Sequence, residues 1–391
     1  MKRWTLFIAL AALLCLPLVQ ADTGANEITV GVTASLSGKY AELGQEQLNG
    51  MQMWADDLNA RGALLARKVR IVYYDDQSSP EKTAELYDRL INQDRVDLLL
   101  GPYSSELTLV AAGVAEKNNF PMLAAGAGAS EIWSQGYRNI FQLETPADQY
   151  MDHVIDFAAG KGLKRIALLY EDTEFPREVA EGVREQAAEH GLDIVFDEDY
   201  AEDISDFSPL IRQAKGTSPD MLICGTYFED SVDIVRVVKA SGLEPKILVF
   251  TVGPALREFG DTLGDDADGV MGVVQWLRSG RLPMARDFSF RYKDKYGFNA
   301  GPHAASGYAA GQVLEAAVRL AGSLDKDQVR DQLGSLKFQS LIGHYRIGES
   351  GEQIGKQSFV LQWKDGFRLL ILPTNIAESE AKFPLQPWSE R

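Results

Sequence analysis

Two glycine-bearing turns hold the residues with the clearest chemical use. Gly101-Pro102-Tyr103-Ser104-Ser105 follows an apolar run, Asp97 to Leu100, and leads into a helix-like stretch, Ser105 to Asn118. A serine hydroxyl at a helix start, beside the helix's free N–H groups, converges on one point and favours an anion. The same residues also suit a plainer use, in which Ser104 caps the helix beginning at Ser105. Gly126 and Gly128 follow a second apolar run, Pro121 to Ala125. Gly-x-Gly without a third glycine opening a helix is too little for a dinucleotide-binding turn.

Signatures of catalysis do not accompany these turns. The sequence has no Gly-x-Ser-x-Gly elbow, no His-Glu-x-x-His and no phosphate loop ending in Lys-Ser/Thr. A hydrolase would need a nucleophile paired with a histidine, and no histidine lies near either turn in sequence. His153, His190, His303 and His344 are scattered and read as surface or core residues. With two cysteines, Cys15 and Cys224, they give no metal-ligand spacing. The expectation is binding without chemistry, with no cofactor and no metal.

The turns are held by an alternation of strand-like and helix-like segments. Ile28 to Ala34, Val69 to Tyr74, Asp97 to Leu100 and Pro121 to Ala125 read as strands. Helical spacing separates them, as in Leu48, Met51, Ala55 and Leu58. The pattern restarts after Ala147, with strands at Arg165 to Tyr170, Leu192 to Phe196, Met221 to Gly225 and Lys246 to Phe250. Strand–helix repetition of this kind demands parallel pairing with helices on both sheet faces. The fold class is α/β, with two doubly wound parallel-sheet units. A long helix at Ala304 to Ala321, another at Lys326 to Leu336, and a hairpin turning at Lys364-Asp365-Gly366 complete the chain.

The first two dozen residues read as a signal peptide. Lys2 and Arg3 precede an apolar run from Thr5 to Val19, and Val19-Gln20-Ala21 offers a cleavage site before Asp22. The apolar run is shorter than the roughly 20 residues a spanning helix needs. Leu14 before Cys15 does not suit lipid attachment. The expected product is periplasmic and monomeric. Removing Lys2 and Arg3 deepens a formal charge already at −17, which argues against nucleic acid and anionic membranes as partners. One cysteine remains, so no internal disulfide is expected.

Taken in order, these segments resemble the branched-chain amino acid type of periplasmic binding protein, with its class I fold. The resemblance runs from Glu27 to Pro373. It rests on Ile28-Thr29-Val30-Gly31-Val32 with Leu36-Ser37-Gly38, on Ala41-Glu42-Leu43-Gly44-Gln45 leading to Gly50, and on Tyr74-Asp75-Asp76. Gly101 to Ser105, Gly126-Ala127-Gly128-Ala129-Ser130, and Asp206-Phe207-Ser208-Pro209-Leu210-Ile211 with Pro219-Asp220 complete it. The resemblance implies two lobes joined by three crossover segments, near 142–146, 274–280 and 336–348. Lobe one would comprise 22–143 plus 278–340, and lobe two 144–277 plus 341–391, after a signal peptide at 1–21. It also implies a role as solute-binding protein of an ABC importer, with a membrane permease and a small-molecule amino acid or related carboxylate as partners. A ligand sensor reporting to a receptor is the alternative.

Residue by residue, Ser105 matches the serine that holds the ligand carboxylate, with Ser104 beside it. Backbone groups of Ala127, and of Gly128 or Ala129, match a second contact. Phe175 and Tyr227 fall where ligand-facing tyrosines stand, and Leu43 at an aromatic position of the first loop. Trp133 and Trp276 are weaker candidates. Two departures matter. Ser78 and Ser104 stand where better-known members have a disulfide. Thr251-Val252-Gly253-Pro254 stands where amino acid binders place the carboxylate that pairs the ligand ammonium. Either Glu171, Asp172, Glu229 or Asp230 replaces it, or the ligand is an aromatic or keto acid, or an amide, without an ammonium.

Overall fold

The computed structural model describes residues 27–279 and 281–391; the expected signal peptide lies outside them. The chain begins with β1 (Glu27–Ala34), α1 (Ala41–Ala60), β2 (Lys68–Asp75), α2 (Pro80–Asn92), β3 (Leu98–Leu100), α3 (Ser105–Lys117), β4 (Met122–Ala124), α4 (Glu131–Ser134) and β5 (Ile140–Gln142). These strands form one parallel sheet in the order β2-β1-β3-β4-β5. β3 is apolar on both faces and β1 is largely buried on both, because helices cover the sheet on each side.

A second unit follows: α5 (Asp152–Gly160), β6 (Arg165–Glu171), α6 (Glu174–His190), β7 (Asp193–Tyr200), α7 (Ser208–Gly216), β8 (Met221–Gly225), α8 (Phe228–Ser241), β9 (Ile247–Phe250), α9 (Arg257–Leu263) and β10 (Met271–Val274). The chain then adds α10 (Ala285–Tyr296), α11 (Pro302–Ala321), α12 (Lys326–Ser335), β11 (Phe338–Ser340) and β12 (Gly343–Tyr345) against the first unit. It finishes with β13 (Phe359–Lys364) and β14 (Phe367–Leu372). The second sheet runs β14-β13-β10-β9-β8-β6-β7, parallel except for the β13–β14 hairpin and its pairing to β10. At the hairpin turn Asp365 and Gly366 both have positive φ, the twist-compatible form for a two-residue loop.

Trp276, Phe288, Tyr292 and the inner face of α11 share one core with β1 and β3. Leu341, Ile342 and Tyr345 are buried in that same core. The segment after 340, expected with the second lobe, therefore packs in the first until the chain turns back toward β13. Trp276 packs edge-on against Phe288, and Trp133 lies in the core with α3 and β4. Among the described residues no helix is long and apolar enough to cross a membrane.

One strained spot in the second unit gives a stability prediction. Asp152 opens α5 beside Asp148 and Asp156, and the Oδ1 atoms of Asp148 and Asp152 are buried without a partner. Burial first, then the neighbouring carboxylates, push Asp152 up to about 7. The unfolded chain releases this proton near pH 4 and the folded chain only near 7, so folding is penalised increasingly as pH rises across that window. Asp152→Asn should therefore raise the melting temperature, by a margin that grows from pH 4 to 7 and then levels. Scanning calorimetry at pH 4, 6 and 8 checks it; a pH-independent change would mean the carboxylate cluster is not the cause.

Candidate functional site

In an open parallel sheet, the crevice for a ligand opens where adjacent strands send their connections to opposite faces. In the first sheet this point lies between β1 and β3, whose carboxyl ends lead into Ser35–Tyr40 and Gly101–Ser105. In the second it lies between β6 and β8, which lead into Asp172–Phe175 and Thr226–Tyr227. The structure sets these two points against each other, so the site is a cleft between two sheets.

The lobe-one wall is built on Ser105. Its Oγ accepts the backbone N–H groups of Gly128 and Ala129, both at 3.1 Å. With its acceptor side occupied, the hydroxyl proton is left to donate to an anion. Gly128 is a close approach: a Cβ there would sit 3.3 Å from the Phe175 ring. The Ala127 side chain packs into the core, leaving only its backbone to the loop. Ser104 departs from the capping expectation. It precedes α3 but makes no capping hydrogen bond, and its Oγ is buried without a partner.

Across the cleft, Tyr227, Val252 and Leu256 of the second unit pack with Tyr40, Leu43, Tyr103 and Leu107 of the first. Tyr40 packs edge-on against Tyr103 at 5.6 Å and tilted against Tyr227 at 5.3 Å between ring centroids. Phe175 lies edge-on to Tyr150 at 5.1 Å. The structure thus brings Leu43, Ser104, Ser105, Ala127, Gly128, Ala129, Phe175 and Tyr227 to one cleft. It adds residues the sequence reading left out. Tyr40 and Tyr103 stand in the very loops it singled out. His303, taken there for an ordinary surface or core residue, packs edge-on against Tyr103 at 4.9 Å.

Electrostatics divide the cleft. Lys39, in the loop after β1, bonds Glu171 at 2.6 Å and Glu202 at 2.5 Å across the lobes, and lies over the Tyr227 ring. Burial opposes its charge, but Tyr40 and the two carboxylates outweigh it and hold the ammonium above its ordinary value. Glu171 is 1% exposed and also accepts from Thr173. Asp172 pairs with Arg177, and Asp230 accepts from Tyr200. Thr251 donates to the Thr226 carbonyl and accepts the Thr226 N–H, so its hydroxyl serves the Tyr227 loop. A second tie crosses the cleft from α6, where Glu178 accepts the N–H of Ser130. Outside the aromatic layer the cleft widens into a cavity of about 480 Å³ bounded by Lys39, Leu43, Glu171, Glu229 and Asp230. Among the described residues no cluster could hold a metal ion.

Comparison with known proteins finds that residues 27–368 match the family described as periplasmic binding protein. A Leu/Ile/Val-binding protein homolog 7 of Brucella suis biovar 1 is 24% identical over 403 residues, spanning 98% of this chain and 100% of the relative. Among solved structures, a leucine binding protein of Thermotoga maritima aligns with a TM-score of 0.80 at 21% identity, covering 88% of this chain and 97% of that one. A solute binding protein of an ABC transporter from R. palustris, solved with benzoate, aligns with a TM-score of 0.79 at 20% identity, covering 92% and 99%. At these identities the structural likeness is one of fold.

Proposed function

The chain belongs to the periplasmic binding protein family, and from that premise we propose that it is the extracytoplasmic solute-binding protein of an ABC importer, closing two lobes on a small carboxylate without chemical turnover. The observation that carries the carboxylate is Ser105, whose hydroxyl, at the start of α3, is oriented by the backbone N–H groups of Gly128 and Ala129. An apolar body would lie against Phe175, Tyr227 and Leu43. The moving lobes are taken as 27–143 with about 276–355, and about 146–274 with 358–391, hinged at the three crossings between them. The membrane permease would read the closed form. Titration calorimetry of purified protein against leucine, phenylalanine, their deaminated analogues and benzoate tests this reading. Binding of polyols or cations, with every carboxylate silent, would sink it.

A reading without a ligand ammonium is favoured by the acids themselves. Glu171, Asp172 and Asp230 already have partners, and Lys39 places a cation among them. An ammonium seeking Glu171, the buried carboxylate among them, would have to displace Lys39, and Glu229 at the cavity edge is exposed to solvent. The deaminated analogues are therefore expected to bind at least as well as the parent amino acids.

The same geometry makes Lys39 a tie between closed lobes. Lys39→Met leaves Glu171 buried and unpaired on closure, a loss that typically costs about 2–5 kcal/mol for a desolvated pair. Lys39 is one-third exposed, so the lower end applies. Affinity should fall roughly tenfold or more, and small-angle scattering with saturating ligand should show a smaller compaction. Unchanged affinity and compaction would show that closure does not use this pair.

A further inference from the structure

At the hinge end of the cleft lies a small cavity whose polar lining is incomplete. Gln275, from the crossing after β10, is 3% exposed. Its Oε1 receives the Thr145 N–H at 3.0 Å, the Thr145 hydroxyl at 3.1 Å and the Lys356 ammonium at 2.8 Å. Three donors around one atom fix which end of the amide is oxygen. The Nε2 end is thereby turned away, and it is buried with no acceptor. Glu144, from the crossing after β5, lines the same cavity and is nine-tenths buried. Ser306 donates to one of its oxygens at 2.7 Å, which leaves most of the carboxylate's acceptor capacity unused. Thr251, His303 and Tyr150 complete the polar lining; Thr251 is already hydrogen-bonded to Thr226, and Nδ1 of His303 lies 3.9 Å from Glu46. Burial pushes His303 down to about 4, so at neutral pH it adds no charge.

We propose that this cavity is the second pole of the ligand site and takes a hydroxyl group, so that the natural ligand is a carboxylate carrying a hydroxyl at its far end. The proposal rests on the carboxylate reading above and sharpens it. Size selects the group: the cavity has room of about 20 Å³, enough for one water-sized group. Chemistry selects it again. A hydroxyl accepts from Gln275 Nε2 and donates to Glu144, answering both with one atom. An ammonium only donates, and it would bring a second cation to a carboxylate that Lys356 already faces. A second carboxylate only accepts, and would oppose Glu144.

The two poles are joined by continuous structure. Gln142 donates to the Gly128 carbonyl, and Ala147 donates to it as well, while Thr145 between them holds Gln275. Tyr103, adjacent to Ser104 and Ser105, reaches His303 at the cavity. A ligand spanning the two poles would meet Ser105 at one end and the Glu144–Gln275 pair at the other, both held by this one framework.

Calorimetry with matched pairs tests the proposal: benzoate against 3- and 4-hydroxybenzoate, hexanoate against 6-hydroxyhexanoate, with 4-carbamoylbenzoate as the amide probe. At least one hydroxy acid should bind about tenfold or more tighter than its parent, because a site built to hydrogen-bond a hydroxyl discriminates strongly against its absence. Glu144→Gln keeps the shape and Ser306's acceptor, and should collapse that ratio toward one; Gln275→Met should do the same. Circular dichroism of both variants separates misfolding from loss of the pole. Equal binding of parent and hydroxy acids, or a hydroxyl preference that survives both substitutions, overturns the proposal and leaves the cavity to a structural water. Preference for the amide probe over every hydroxy acid overturns the choice of hydroxyl. If carboxylates bind and depend on Ser105 yet ignore the hydroxyl, this proposal alone falls; if no carboxylate binds, both readings fall.

Discussion

Ser105→Ala should weaken ligand binding by about one to two decades, because a hydrogen bond to a charged group contributes roughly 1.5–3 kcal/mol. The same substitution carries a second effect that the geometry makes visible. Gly128 and Ala129 would lose the acceptor for their buried N–H groups, so the ligand-free protein should melt at a lower temperature. Ligand would restore part of that loss, since a carboxylate can itself accept both N–H groups. Ser105→Thr, which keeps the hydroxyl, should recover most of the affinity. Ser104→Ala should behave differently. Its hydroxyl caps nothing and is buried without a partner, so its removal should not lower stability as loss of a cap would. Calorimetry for affinity and differential scanning for stability decide between the two serines. Undiminished binding in Ser105→Ala would remove the anion site from the start of α3, and a large loss in Ser104→Ala alone would move it by one residue.

The sequence carries the fold class because central strands such as β3, β8 and β9 are apolar runs, each followed by a helical stretch. The hairpin was equally plain, since Lys364-Asp365-Gly366 supplies the positive-φ residues such a turn demands. β5 and β10 escaped notice because, unlike the equally short β3, β4 and β9, each runs into a crossing between the units rather than directly toward a covering helix. Helix α10 escaped although Ala285, Phe288, Ser289 and Tyr292 recur at helical spacing on its buried face. Charged residues between them dilute the signal. In the cleft, the lobe-one wall was legible because it is local: Gly101 to Ser105 and Gly126 to Ser130 are single turns. The far pole was not. Glu144, Gln275, Ser306 and Lys356 lie on four separated segments and meet only through the three crossings. Lys39 and Glu171 are 132 positions apart, and nothing near either predicts the other.

Gly307→Ala should destabilise the protein by about 3 kcal/mol, lowering the melting temperature of its lobe by roughly 6–12 °C. α1 and α11 cross with almost no side chain between them. A Cβ on Gly307 would stand 2.1 Å from the Gln47 carbonyl oxygen, and one on Gly50 would stand 2.0 Å from the Ala304 carbonyl oxygen. Both obstacles are helical backbone, which cannot swing aside as a side-chain tip does, so the helices must separate. Separation would loosen the core that Trp54, Tyr308 and Val313 share with β1. It would also disturb the cleft, because α11 carries His303 and Ser306 in its first two turns and α1 follows the loop of Lys39 and Tyr40. Ligand affinity should therefore fall together with stability, although Gly307 touches no proposed ligand contact. Gly216, near the end of α7, has open space where its Cβ would be and no left-handed φ. Gly216→Ala should be neutral or slightly stabilising, since it only restricts the unfolded chain. Urea denaturation of the two variants, with calorimetry at a temperature where both are folded, makes the comparison. A Gly307→Ala protein as stable as the parent would mean that α1 and α11 do not approach this closely in solution, and that the positions of His303 and Ser306 are not set by their contact.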